Sequence, residues 1–205
     1  MPEKEEHPLI AQYKKAHELA ENYAAKLSAH IFNRGLVGKP TDEKTIDDVV
    51  NALHSGEAAK MIKEVLGPRA QGLDDQELLA RYSLPKHQIK RILSNYDSIT
   101  DDVLRAIANE LVSRVRSELV SHHPAALANL AYEQGVGPAQ KVLLDLYTLA
   151  GGEETAKKYR KGIEGLKTPE QIHSAAGEHY HTIDALLSSD ASRVRKPVYD
   201  TKKAA

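Results

Sequence analysis

Residues 76–93, QELLARYSLPKHQIKRIL, carry the pattern from which the fold is read. Leu78 and Tyr82 stand four apart on one helical face, Ser83-Leu84-Pro85 turns the chain, and Ile89 and Ile92 resume helical spacing. The stretch therefore predicts a helix ending at Tyr82, a three-residue turn and a second, short helix. With the apolar positions turned inward, Lys86, His87, Lys90 and Arg91 face outward, with Gln88 beside them.

Upstream, Leu9, Tyr13, Ala16, Ala20, Tyr23, Ala24, Leu27 and Ile31 form one stripe, predicting a helix of about seven turns from Pro8 to Asn33. Residues 35–44 read as a loop. An acidic start at Thr45-Ile46-Asp47-Asp48 opens the next helix, and Ser55-Gly56 ends it. A short third helix closes at Gly67-Pro68. Downstream, Ser98-Ile99-Thr100-Asp101 resembles a capping box ahead of the stripe Val103, Leu104, Ile107, Leu111, Val115 and Leu119. Pro124 restarts the chain and Gly135-Val136-Gly137-Pro138 punctuates it. Residues 139–150 are apolar on several sides, which places them near the centre of a core, and Gly151-Gly152 ends that run. Thr168-Pro169-Glu170-Gln171 joins an N-cap threonine, a first-turn proline and a third-position glutamine, the strongest helix start in the chain.

The pattern predicts an all-α protein, a multi-helix bundle of about eight to ten helices with an internal helix-turn-helix-like hairpin. Glycine and proline at 67–73 offer a boundary. It would separate an N-terminal helical region, 1–66, from a helical bundle, 74–187; a single domain over 8–187 is an equal alternative. From residue 188 on, Arg193, Arg195, Lys196, Lys202 and Lys203 make a flexible basic tail with little to bury.

Over about twenty residues, about a tenth of the chain, the opening stretch resembles the helix-turn-helix superfamily. In that family the first helix braces the second, and the exposed side of the second enters the major groove. The resemblance implies nucleic-acid binding, to DNA or RNA, through Lys86, His87, Gln88, Lys90 and Arg91. Lysine and arginine suit phosphates and guanine edges, and glutamine suits adenine.

Composition limits the alternatives. The 205 residues carry a formal net charge of −1, so any attraction for a polyanion rests on a local patch. Aromatic residues are only 5 %, with one Phe and no Trp, so Leu, Ile, Val and Ala build the core. With no cysteine, disulfides and thiolate chemistry are excluded. Met1-Pro2-Glu3-Lys4-Glu5-Glu6 precedes no apolar run, and no window of the chain is apolar enough for a span. The expectation is a cytoplasmic protein that does not contact membranes.

Ten histidines invite a search for metal sites. In the last helix, Glu170 and His173, then Glu178 and His181, repeat a Glu-x-x-His spacing. Di-iron bundles place such copies on different helices, whereas these share one. At roughly 100° per residue the four fall opposite Ile172, Ala176, Ile183 and Leu187, hence in solvent; His179 falls on the apolar side as a hydrogen-bonded core residue. His122 and His123, ahead of Pro124, read as surface or capping groups. His17-Glu18-Leu19-Ala20-Glu21 puts Glu21 where a zincin needs its second histidine. Gly35 and Gly38 stand too close together for a phosphate loop, and Pro40 removes an amide that its cradle would need. No metal site, cofactor or catalytic residue is assigned. The readings are a nucleic-acid-binding or regulatory protein without enzymatic activity, or a protein-interaction module. In the latter, the long first helix meets a protein partner or forms a homo-oligomer. A metal-binding bundle comes third.

Overall fold

A computed structural model describes residues 6–189 of the chain. Within them lie nine α-helices: α1 (Pro8–Asn33), α2 (Glu43–Leu53), α3 (Gly56–Leu66), α4 (Asp75–Tyr82), α5 (Lys86–Leu93), α6 (Asp101–Leu119), α7 (His123–Gln134), α8 (Val136–Gly165) and α9 (Pro169–Ser189). A 3-10 turn, Gly67–Ala70, follows α3. The described residues hold no strand, only an isolated antiparallel bridge between Pro40 and Ser98. The all-α architecture expected from periodicity is present. The charged residues of the C-terminal tail lie outside the described residues.

Contacts divide the chain into two compact units. One, His17–Arg116, holds most of α1 and α6 with α2–α5 between them. The other combines residues 6–16 with residues 117–189. Residues 67–73 lie inside the first unit, and the chain passes between units within α1 and α6.

In the 17–116 unit, α4 leans on α3 and α5 leans on α2. Tyr23, Leu27, Ile31, Leu53, Leu78 and Ile107 are fully buried, and burying side chains of this size drives folding at about 1.5–3 kcal/mol each. The helix starts are set by short polar side chains, though not always those expected. Asp42 Oδ1 accepts from Thr45 N at 2.8 Å, so Asp42 caps α2 and Thr45 becomes a buried position inside it. Ser55 caps α3, and Asp74 with Glu77 forms a complete capping box on α4. Ahead of α6, Thr100 Oγ1 receives Val103 N at 3.5 Å, two residues later than the start anticipated at Ser98.

In the second unit, α7, α8 and α9 each touch the other two. Val142, Leu143, Leu146 and Tyr147 of α8 are buried, as their apolar neighbours required. Gly151-Gly152 does not end α8. Instead Gly152 adopts φ +78°, ψ −179° and joins two helical halves across a kink. That conformation is open essentially to glycine alone. The start of α9 forms as read: Thr168 Oγ1 accepts from Gln171 N, and Gln171 Oε1 accepts from the amides of Lys167 and Thr168.

Candidate nucleic-acid interface

The corner between α4 and α5 is built from extended backbone. Ser83 has φ −89°, ψ 174° and Pro85 has φ −60°, ψ 149°, so the turn needs no left-handed residue and no glycine. Leu78, Tyr82, Leu84, Ile89 and Ile92, the positions expected at the junction, are all buried.

A helix end leaves carbonyls without intrahelical donors, and here four successive ones receive side chains from elsewhere. Arg114 of α6 donates to Arg81 O at 3.3 Å and to Ser83 O at 3.2 Å, placing a cation where the α4 dipole is negative. Tyr23 of α1 donates to Tyr82 O at 3.4 Å. Burial raises the Tyr23 pKa and keeps that hydroxyl protonated. His54 Nε2 lies 2.9 Å from Leu84 O. A carbonyl only accepts, so Nε2 carries the proton. The turn also gives one bond back: the buried Ser83 Oγ donates to Leu53 O, at the last residue of α2, at 2.7 Å. These bonds fix the direction in which α5 leaves the corner.

The brace on α5 differs from that implied by the family resemblance. Its main support is α2, with α4 resting on α3. Lys86, His87, Lys90 and Arg91 are exposed, as the spacing required. Gln88 is half-buried, and its Oε1 lies out of solvent without a hydrogen-bond partner, so it is not a free reader of base edges. Two cations have acidic neighbours from distant segments. Lys86 Nζ lies 3.4 Å from Asp47 of α2, and Arg91 Nη2 lies 3.4 Å from Glu110 of α6. Lys90 has no carboxylate partner among the described residues. The patch is positive by a small surplus.

The histidines divide by environment. Glu170, His173, Glu178 and His181 are exposed, as the helical wheel placed them. His179 is half-buried on α9, with Nδ1 2.9 Å from the Tyr147 hydroxyl of α8. Burial lowers the His179 pKa, with Glu178 opposing, and raises that of Tyr147 to about 12. Tyr147 also stacks on Tyr159, with centroids 4.2 Å apart. The reading of the His122-His123 pair requires correction. His122 is exposed, but His123 is 1 % exposed and meets the rings of Tyr13 and Tyr180 at 5.7 Å and 5.8 Å. Helix α7 begins at His123, one residue before the proline, and that residue turns its ring inward. Among the described residues no group of three or more His, Asp or Glu is placed to hold a metal ion. No helix there is long and apolar enough to cross a membrane.

Set against known protein families, curated proteins and solved structures, the chain matches no family model, no curated protein and no solved structure.

Proposed function

We propose that the protein is a non-enzymatic binding protein whose α5 face holds nucleic acid by its phosphates. One observation carries the reading: Lys86, His87, Lys90 and Arg91 project into solvent from one short helix whose direction is fixed by the bonded corner behind it. A fixed frame lowers the ordering cost of bringing several cations to one strand. The carboxylates at Asp47 and Glu110 do not block it. Exposed pairs of this kind contribute about 0–1 kcal/mol, so a phosphate with its counterion release competes with them.

Fluorescence anisotropy on labelled duplex and single-stranded oligonucleotides, at low and moderate salt, tests the proposal. Three phosphate contacts predict a slope of log affinity against log salt between about −2 and −3. The Lys86→Ala/Lys90→Ala/Arg91→Ala variant should keep its fold, since all three side chains are exposed, and lose the binding. No binding at low salt, or binding that the triple variant retains, sinks the proposal.

A second reading, a protein-interaction module using α1, is favoured by two neighbouring clefts between α1 and α3. They have volumes of about 440 and 370 Å³ and share Lys26, Ala29 and Glu64. Small Ala25 and Ala29 beside half-exposed Leu19, Met61 and Val65 suit close approach of another helix. Light scattering decides the self-association form: a strict monomer at high concentration excludes it.

A further inference from the structure

Beside the basic face of α5, a cleft of about 330 Å³ opens between α5 and α6. Ile92 and Ala106 give it apolar lining, Tyr96 an aromatic ring, and Arg91, Asn95, Asn109 and Glu110 polar groups. Its volume suits one nucleobase and is at the small end for a ligand pocket. The residues around it are held in place. Tyr96 O accepts from Thr41 Oγ1 at 2.5 Å, Tyr96 N donates to Leu93 O at 3.0 Å, and Asn95 Nδ2 donates to Arg91 O at 3.1 Å. The Asn109 amide and the Tyr96 hydroxyl have no hydrogen-bond partner among the described residues, so both remain available to a ligand.

The single carboxylate in this lining decides which base fits. Its two oxygens accept, and neither donates. Guanine is the base whose Watson–Crick edge offers two adjacent donors, N1–H and the 2-amino group. Adenine and cytosine set a ring acceptor beside their amino group, and thymine or uracil flanks its N–H with two carbonyls. Each of those turns at least one lone pair toward Glu110. A duplex hides this edge, whereas single strands present it and stack their bases on aromatic side chains.

We infer that the α5–α6 cleft is a guanine subsite for single-stranded nucleic acid. Glu110 accepts from N1–H and the 2-amino group, and Tyr96 supplies the stacking face. Arg91, released from Glu110, turns to the adjoining phosphate. The inference rests on the reading of α5 as a phosphate-binding face, and it adds a strand preference and a base preference.

The test uses the full chain and labelled seven-nucleotide thymidine strands carrying one central guanosine, adenosine, cytidine or thymidine. The guanosine strand should bind about tenfold more tightly than the all-thymidine strand, the discrimination of one good paired contact. Glu110→Gln should abolish that preference. It should also tighten all-thymidine binding, because Arg91 loses its competing carboxylate. Tyr96→Leu should weaken the guanosine strand about fivefold or more. Equal binding of guanosine and thymidine strands, or adenosine or cytidine as tight as guanosine, overturns the subsite while α5-dependent binding survives. A Glu110→Gln variant that keeps the guanosine preference overturns it as well. Guanosine monophosphate competing at the same concentration as the strand overturns the polynucleotide part. Failure to bind any strand removes the phosphate-binding face itself.

Discussion

The corner between α4 and α5 yields its clearest prediction at Ser83. Its side chain is wholly buried, and its hydroxyl donates to Leu53 O at 2.7 Å across 30 residues of sequence. That carbonyl belongs to the last residue of α2, where no intrahelical donor reaches it. Ser83→Ala removes the donor and leaves a carbonyl facing the void of a missing oxygen, too confined for bulk water. Stranding a buried acceptor costs about 1–3 kcal/mol; about 2 kcal/mol is expected. For a unit of this size that corresponds to a fall in Tm on the order of 10 °C. The same loss moves a urea midpoint by about 1 M. Circular dichroism through a urea titration reads it. Ser83→Gly sharpens the test. In a turn with left-handed backbone glycine would help, but Ser83 is extended at φ −89°. Glycine should therefore be destabilising beyond alanine, by about 0.5–1 kcal/mol of added chain entropy. An unchanged midpoint in the alanine variant, or a glycine variant more stable than alanine, would refute the reasoning.

Two other substitutions separate backbone strain from space. At Gly152, an added Cβ meets nothing within 4 Å, yet φ is +78°, so Gly152→Ala should cost about 1–3 kcal/mol through the backbone alone. Gly177, inside α9, also has open space and helical backbone, so Gly177→Ala should gain about 0.4–1 kcal/mol. Thermal melts of the two variants should therefore move in opposite directions. Acid should weaken the fold through His179. Burial holds its folded pKa below the ordinary 6.5. Its contribution is thus complete above that value and is lost as pH falls through the folded pKa. Denaturation between pH 7 and pH 5 should show a shallower decline for His179→Phe than for the natural chain. His30, lowered mainly by burial, adds to the same slope. An identical pH dependence in the variant would contradict the assignment.

What the amino-acid pattern revealed, and what it hid, follows the range of the interactions. The α1 bounds were readable because Pro8, the Leu/Tyr/Ala stripe and Gly35 are local signals. The reciprocal bonds at Thr168 and Gln171 were readable for the same reason. Caps one step removed were misplaced. Thr45 has the pattern of a helix start that Asp42 in fact provides, because two capping-type residues three apart compete and packing chooses between them. His123 was misread because a residue beside a helix-start proline can turn either way, and only Tyr13 and Tyr180, from distant segments, make the inward choice favourable. The corner bonds from Tyr23, His54 and Arg114 were invisible for a related reason. Side-chain donors to carbonyls have no spacing rule across 30 or more residues. Asp47 reads in sequence only as part of a helix start, and Glu110 carries no sequence signal at all. The pairing of Asp47 with Lys86 exists because α2 packs on α5, and that of Glu110 with Arg91, with the cleft that Glu110 lines, because α6 passes beside it.

The unit that holds α7, α8 and α9 takes its remaining piece from residues 6–16, with all of residues 17–116 interposed along the chain. Within it, the Tyr13 hydroxyl donates to Asp184 Oδ1 at 2.5 Å, a contact spanning 171 positions. On the ribosome the first segment must therefore wait for its partner. At about 5–20 residues per second, Tyr13 emerges on the order of ten seconds or more before Asp184 is made. In that interval the interposed unit has its complete sequence, and the last three helices do not. Order of synthesis thus favours the 17–116 unit folding first, with the N-terminal segment joining late.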